Sequence, residues 1–493
     1  MSGSVNDYEK CSLSGDLDKD IALFKNIFKR DAVLRVREVS VGGACRCCLV
    51  YMDGMVNSAQ QGETVVEALV EATLPKNLQP TAKYIAQNIL FANEVGETKS
   101  LPDMLRAILY GDTVLIVDGS SSALTVNTKG WRTRGIKEPD SERVLQGPRE
   151  GFDEAAMFNL AMIRRKLLTP DLCIELMRIG RRSDTPVFIC YLGSLTDKNT
   201  LKELNRRLAK IDIDGILDSN YIAENIRDHK FGILKTTGAT ERPDIVAARL
   251  LEGRIALVVD GTPVVLTLPY LFSENFQSDE DYYVNFTVAS ISRILRYICF
   301  FVAVSVPGVF LALVTHHFDL LPTRFAISVS RLRVGVPIGS AVECLALLLA
   351  FEILKESGLR MPQNLGHALS VVGGLVVGQA AVEASIISAP MLIAVSLSAI
   401  AGLMVPRLSS AVLYLRFINV IACAVFGLYG FFAVSALFLL SVFNISSFGV
   451  DYTASFARPD AQNMKDIFIR APWTKMLTRP DFNKNKIRKG NGI

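Results

Sequence analysis

The stretch Ile294-Leu-Arg-Tyr-Ile-Cys-Phe-Phe-Val-Ala-Val-Ser-Val-Pro-Gly-Val-Phe-Leu-Ala-Leu-Val314 divides this chain in two. It is 21 residues long, close to the ~20 needed to cross a hydrocarbon core of ~30 Å. Arg293 and Arg296 stand at its start, where the positive-inside rule places a cytoplasmic flank. Pro307-Gly308 interrupts it, and a kink is expected, because a span accepts such a break when its neighbours satisfy the freed backbone groups. From Ile294 to Phe443 apolar runs follow one another with short polar breaks, whereas the preceding residues are rich in charge, turns and alternating strands.

The composition is divided in the same way. The 493 residues are 50% hydrophobic, with mean hydropathy +0.31, too apolar for an ordinary soluble protein and too charged for a pure transporter. From Ser290 onward 18 Lys and Arg face 9 Asp and Glu, a net +9, and the part before is net −5, so the overall +4 does not argue for nucleic-acid binding. Met1 to Asp20 carries Asp7, Glu9, Asp16, Asp18 and Asp20 without a basic region leading into an apolar one, so it is not read as a secretory signal. Arg458, Lys465, Arg470, Lys475, Arg479, Lys484, Lys486, Arg488 and Lys489 follow the last apolar run. Both termini are therefore expected in the cytoplasm, with an even number of spans between them. Nine scattered cysteines include one cluster, Cys45-Arg-Cys47-Cys48, with no second ligand pair for zinc.

In the first half, Asp53-Gly54, Asp118-Gly119 and Asp260-Gly261 each follow an apolar strand-like run, and Asp-Gly between such runs signals a hairpin. Asp153 to Lys166 and Thr200 to Ala209 read as helices. The polar segment Thr128 to Glu150 reads as a linker between two α/β subdomains. The expected organisation is a disordered lead over 1–20, subdomains over 21–140 and 141–290, an all-α polytopic transmembrane domain over 291–450 with four to six helices, and a basic tail over 451–493.

The expected class is thus an α+β N-terminal region followed by membrane helices. No phosphate-binding glycine loop occurs, since Gly42-Gly43 lacks the downstream Lys-Ser/Thr, and no Ser-His-Asp or Cys-His nucleophile context occurs. Nothing argues for an enzyme or a bound cofactor. The expected role of Gly147-Pro-Arg-Glu150 is a turn presenting Arg149 and Glu150, either as a local salt bridge or as an interdomain contact.

Three features of the second half bear on function. Ala341 to Glu356 is framed by Glu343 and Glu352, about 13 Å apart on a helix; it reads either as a short, broken or re-entrant helix near Pro337 or as a span whose glutamates face water. These two carboxylates are candidates for attracting cations. Gly366 to Glu383 is rich in small residues and contains Gly374-Leu-Val-Val-Gly378, a spacing that permits close helix approach. Gln379 and Glu383, four apart, share a face. Gly373, Gly374, Val376, Val377, Gly378, Gln379 and Glu383 are therefore candidate pore-lining or helix-packing positions. Val412 to Phe443 is too long for one straight crossing, and Gly427-Leu-Tyr-Gly430 is a candidate divide.

Several ordered blocks resemble the A subunits of the GerA family of spore germination proteins. They are Gly111-Asp-Thr-Val-Leu, Gly147-Pro-Arg-Glu-Gly-Phe152, Ile163-Arg-Arg-Lys166, Leu251-Glu-Gly-Arg-Ile-Ala-Leu-Val-Val-Asp-Gly-Thr-Pro263 and Phe276-Gln-Ser-Asp-Glu-Asp-Tyr-Tyr283, then Gly335-Val-Pro337, Phe351 to Pro362 and Val377-Gly-Gln-Ala-Ala-Val-Glu383. The resemblance implies a multi-pass protein of the spore inner membrane, a homo-oligomer with lipid around it. It implies a transporter-like B subunit and a lipoprotein C subunit as partners, or another membrane partner in the stage V sporulation paralogues, and an ion channel opened by nutrient germinants. A secondary transporter subunit and a membrane-tethered scaffold are the alternatives.

Overall fold

The computed structural model describes residues 4–74, 81–130, 146–228, 232–360, 378–457 and 463–476, with isolated positions such as Glu142 and Arg479 between them. Gly373, Gly374, Val376 and Val377 lie outside the described residues. The N-terminal half begins with α1 (Leu17–Ile27), β1 (Leu34–Val41) and β2 (Cys45–Met52). Helix α2 (Ser58–Gln61) continues through a π-helical turn into α3 (Ala68–Glu71), followed by α4 (Ala82–Asn88) and β3 (Val95–Thr98). Helix α5 (Leu101–Leu109) leads into the hairpin of β4 (Thr113–Val117) and β5 (Ala123–Val126).

The same plan then recurs. It runs α6 (Ala156–Lys166), β6 (Leu172–Ile179), β7 (Thr185–Leu192), α7 (Lys198–Leu208), α8 (Ser219–Ile226), β8 (Gly238–Thr240), α9 (Pro243–Leu251), β9 (Ile255–Val259) and β10 (Val265–Leu268). The first sheet has the order β1-β2-β4-β5-β3 and the second β6-β7-β9-β10-β8, so one antiparallel arrangement is used twice.

Alternation along the strands explains how the two units stack, because successive side chains point to opposite faces. Cys48, Val50, Val114 and Ile116 point from the first sheet, and Cys190, Ala256 and Val258 from the second, into one shared core. Helices α1, α5, α6 and α9 fill that core with Phe24, Leu105, Ile163 and Val246. The outward face of the first sheet, Leu49 and Leu115, is covered by Val65, Leu69 and Ile85, and that of the second, Ile189 and Leu257, by Leu204 and Ile222. The chain joins the units through main-chain bonds from Ala32 N to Ile174 O and from Ile174 N to Arg30 O, 2.8 and 2.9 Å long. The buried pair Asp31 and Arg164 lies beside them.

Two of the three Asp-Gly turns close hairpins, β4–β5 and β9–β10. They also do something that spacing alone does not reveal. Asp118 Oδ1 accepts from Leu17 N at 3.3 Å and Asp260 Oδ1 from Ala156 N at 3.0 Å, so each caps the helix that opens its unit. Asp53-Gly54 is not a hairpin: it leads from β2 into a single bridge, Val56 to Lys129, and then into α2. The first hairpin is β1–β2, closed over Gly42 and Gly43 at φ of 52° and 73°. The expected disordered lead is likewise corrected. Val5, Leu13 and Leu17 enter the shared core, Asp16 accepts from Asp18 N and Lys19 N, and the buried Asp20 carboxylate accepts from Ser14 N at 2.8 Å. Asp16 is the helix cap and Asp18 pairs with Arg46, so acidic residues that resemble a solvated run in composition hold the segment in place.

The second half is helical: α10 (Phe286–Thr315), α11 (Thr323–Arg333), α12 (Ser340–Arg360), α13 (Ala389–Leu403), α14 (Ser409–Phe426) and α15 (Leu428–Phe443). Two of these, α10 and the helical run Pro406–Phe426, are long and apolar enough to cross a membrane, and α13 and α15 are shorter apolar helices. Helix α10 begins eight residues before Ile294, and Pro307 lies inside it without ending it. The segment expected to be short or broken is the unbroken 21-residue α12, because Gly335, with φ 94°, and Pro337 fall before its first turn. Gly427, at φ 60°, is the sole residue between α14 and α15. A Cβ there would lie 2.7 Å from His317 Nε2, so both the reversal and the closeness to the end of α10 require glycine. Helices α10 and α14 therefore run away from the sheets, and α13 and α15 return.

The cap reading gives a test. Asp260→Ala is expected to cost about 1 kcal/mol in urea unfolding of the full chain and to lower hydrogen-exchange protection at the Ala156 amide more than elsewhere in α6.

Candidate functional site

Where the sheets meet the helices, the chain buries a set of charges that no local pattern announces. The 3-10 turns Phe272–Phe276 and Asp279–Tyr282 lead from β10 into α10. Glu274, 1% exposed, pairs with Arg249 at 2.9 Å and with Arg254, and accepts from Leu271 N at 2.8 Å. Arg407, on the turn before α14, donates to Glu274 O and Gln277 O, each at 3.2 Å, and pairs with Asp279 at 3.0 Å and Glu142 at 3.3 Å. One guanidinium thus ties the helices to two separate segments, the stretch 274–279 and Glu142.

The entry to α10 is held more tightly still. Arg293 and Arg296 each donate to the Asp281 carboxylate at 2.8 Å, and Arg293 also reaches Asp466 of the C-terminal segment at 2.7 Å. Tyr282 Oη donates to the second Asp466 oxygen at 2.8 Å. Arg293, expected to be a cytoplasmic flanking charge, is fully buried. Burial pushes the Asp281 carboxyl up, and the hydrogen bonds from Arg296 and Arg293 more than offset this, holding it below the ordinary aspartate value of 3.8. Burial raises the Glu142 carboxyl, with the Asp279 charge adding to the effect and Arg407 opposing it. A junction that buries paired charges is destabilised strongly if one partner is removed.

The second site lies among the apolar helices and starts from a proline. Pro307 has no N–H, so the carbonyl four residues earlier, Ala303 O, has no partner within α10. Two side chains from other helices supply one: Ser398 Oγ of α13 at 2.6 Å and Arg416 Nε of α14 at 3.1 Å. Asn419 Nδ2 reaches the next carbonyl, Val304 O, at 3.1 Å. Arg416 also donates to Ser398 O at 3.3 Å and lies 3.6 Å from Glu352 of α12. Four helices therefore converge on one guanidinium that is 3% exposed. Gly402 makes room for it, since a Cβ there would stand 2.9 Å from Arg416 Nη2.

The expected site residues are distributed as follows. Glu352 is half-buried at this node and also bonds Lys355 at 3.2 Å. Glu343 is 1% exposed at the opposite end of α12, where its Oε1 accepts from Ser388 N and Ser388 Oγ, both at 2.6 Å, pinning the start of α13. Gln379 Nε2 donates to Glu383 Oε1 at 2.9 Å, so these two do share a face, and both are exposed. Gly378 meets only Leu392, at 3.9 Å from an added Cβ, which is ordinary contact. Glu150 pairs with Arg165 and Lys166 at the end of α6, at 3.3 and 3.2 Å.

An ion pair that joins the two α/β units is Asp31–Arg164, and Arg164 lies in the quoted Ile163-Arg-Arg-Lys166 block. Two further quoted blocks, Leu251 to Pro263 and Phe276 to Tyr283, hold Arg254, Asp279 and Asp281. Their place in the junction was carried by the blocks but not by any spacing rule. Of the cysteine cluster, Cys47 and Cys48 are buried on β2, where burial raises both thiols, Cys48 to about 12. Among the described residues no group of three or more His, Cys, Asp or Glu could hold a metal ion.

Comparison with known proteins places this architecture. Residues 22–482 match the model of the Bacillus/Clostridium GerA spore germination protein family. Spore germination protein KA of Bacillus subtilis (strain 168) is 37% identical over 484 residues, covering 97% of this chain and 89% of that protein. Spore germination protein GerLA of Bacillus cereus is 33% identical over 456 residues, 92% of each chain. The crystal structure of the N-terminal domain of the A subunit of the Bacillus megaterium spore germinant receptor GerK3 is 33% identical, with TM-score 0.43, covering 53% of this chain and 98% of that one. The chain belongs to the GerA family of spore germination proteins.

Two substitutions separate the two sites. Asp281→Asn leaves Arg293 and Arg296 short of a counter-charge and is expected to cost about 3 kcal/mol at neutral pH. Because the folded carboxyl lies below its ordinary value, its stabilisation is present above the ordinary aspartate range and is lost as pH falls through the depressed value. The gap between wild type and variant in thermal unfolding should therefore close on acidification below about pH 4. Gly402→Ala is expected to displace the Arg416 guanidinium, and lowered hydrogen-exchange protection in α10 around Pro307, with the α/β region unchanged, is the readout.

Proposed function

We propose that this chain is the A subunit of a spore germination receptor, seated in the spore inner membrane with both termini in the cytoplasm, and that copies of its helical half surround a gated ion path. Family membership supports the role in germination. The observation that carries the membrane and oligomer reading is the surface of the helices. Tyr429, Phe432, Leu437, Leu440, Ile393 and Ile400 are each more than 60% exposed on α15 and α13, far more apolar surface than a water-soluble protein leaves uncovered. Lipid and neighbouring copies are what such surfaces contact.

Within that reading the buried charges have distinct tasks. Arg416 sits where helix-to-helix hydrogen bonds replace the missing intrahelical bond of α10, and a charge buried among membrane helices marks a functional position. The junction around Asp281 and Arg407 passes movement of the α/β region to α10 and α14. Gln379 and Glu383, exposed on a single chain, offer polar groups to a path between copies, and Glu352 offers a carboxylate beside Arg416. A B subunit and a lipoprotein C subunit are the partners, with another membrane protein in that place if the chain belongs to the stage V group.

Ionic current from purified protein reconstituted in planar bilayers, alone and with its B subunit, tests the proposal. Cation-conducting openings that Glu383→Ala reduces severalfold are expected. Saturable, coupled uptake would make the chain a transporter subunit, and silence in every condition would make it a scaffold.

A further inference from the structure

The C-terminal segment 463–476 is folded as a strap against the start of α10, and its outer surface groups aromatic and aliphatic side chains with a lysine. Its inner side is accounted for. Asp466 pairs with Arg293, Arg470 N donates to Ser290 Oγ at 3.1 Å, and Phe468 packs on Tyr297 with ring centroids 4.8 Å apart. Ile467 and Met476 are buried. Its outer side presents Phe468, Ile469 and Trp473, 38, 57 and 56% exposed, with Lys475 exposed beside them.

The strap also lies at a definite height. Ser290, Arg293 and Tyr297 hold it on one face of α10, and the adjacent face carries the exposed stripe Ile291, Ile294, Leu295 and Ile298 at helical spacing. Helix α10 has 30 residues, about ten more than a hydrocarbon core requires, so its first turns belong to the headgroup layer. An indole and a phenyl ring beside lysine and arginine at this level are the side chains that settle at a membrane–water boundary, ring inward and charge outward. Arg470 stacks on the Trp473 ring at 5.2 Å, which fixes the indole beside a cation. After the strap the sequence adds Lys484, Lys486, Arg488 and Lys489, a run that repels a like copy and attracts anionic lipid.

We propose that the strap is an interfacial anchor, with Phe468, Ile469 and Trp473 inserted in the cytoplasmic headgroup layer and the exposed Lys475 beside them contacting anionic lipid. The anchor rests on the membrane reading of α10. Through Asp466 and Arg293 it connects the lipid surface to the junction that holds α10.

The sequence contains two tryptophans, Trp131 and Trp473, so Trp131→Phe in the full-length protein makes Trp473 the sole emitter. A companion, Trp131→Phe with Trp473→Phe and Ile298→Trp, reports the exposed stripe of α10. Both are reconstituted in vesicles of phosphatidylcholine and phosphatidylglycerol brominated at shallow or deep chain positions. The anchor predicts that Trp473 is quenched, more by shallow than by deep bromines, and that its emission shifts to the blue as the phosphatidylglycerol fraction rises. Quenching at residue 298 without quenching at Trp473 overturns the anchor and leaves the membrane reading standing. Quenching at neither position removes the membrane reading itself. If Trp473 is unquenched and its emission shifts only as protein density in the vesicles rises, a second copy covers the strap and the lipid proposal is wrong.

Discussion

The Asp281 carboxylate, shared between Arg293 and Arg296, is the contact on which the two halves of the molecule depend. All three groups lie within sixteen residues of sequence, yet they join a 3-10 turn of the α/β region to the first turns of a 30-residue helix. Charges buried this well are held by one another rather than by water, so their relative geometry is narrowly defined. Asp466 extends the set to a segment nearly two hundred residues away, and Arg407 adds a second, independent tie. Sheets and helices are consequently coupled by directional bonds at two places, which a purely apolar interface would not provide.

Above this junction the α/β region is made rigid by duplication. Each unit has one open sheet face, and the two faces are closed against a common layer of four helices. The Asp-Gly turns reach across to cap α1 and α6, so each sheet also holds the start of a helix in that shared layer. Moving one unit without the other would expose apolar area on both sheets and strip a buried ion pair at Asp31 and Arg164. The two units are therefore held as one packed body.

Much of this was legible in the sequence, and the limits have physical reasons. Hydropathy located α10, and the glycines at Gly427 and Gly430 located the reversal between α14 and α15, since length and backbone freedom are local properties. The hairpins at Asp118 and Asp260 were readable because turn chemistry is local too. Asp53-Gly54 misled because the same dipeptide can end a strand without beginning its partner. Arg293 was readable as a basic residue at a helix start, but its burial depends on Asp281 and on Asp466, which only the folded chain brings together. The Arg416 node was legible in half: Pro307 announced a carbonyl without a partner, and nothing in spacing said which of the later polar residues would supply it.

That node has a geometric consequence. Arg293 stands fourteen residues before Pro307, about 21 Å along the helix. A proline removes the bond that would stiffen α10 at this point, and the hydrogen bonds that replace it come from outside the helix, from Ser398 and Arg416. A change of 10° there would carry the far end of the segment through about 4 Å, more than the length of a hydrogen bond. Helix α10 thus joins the node in the bundle to the α/β junction along one continuous helix. The distance between the two is fixed by where one proline falls in the chain.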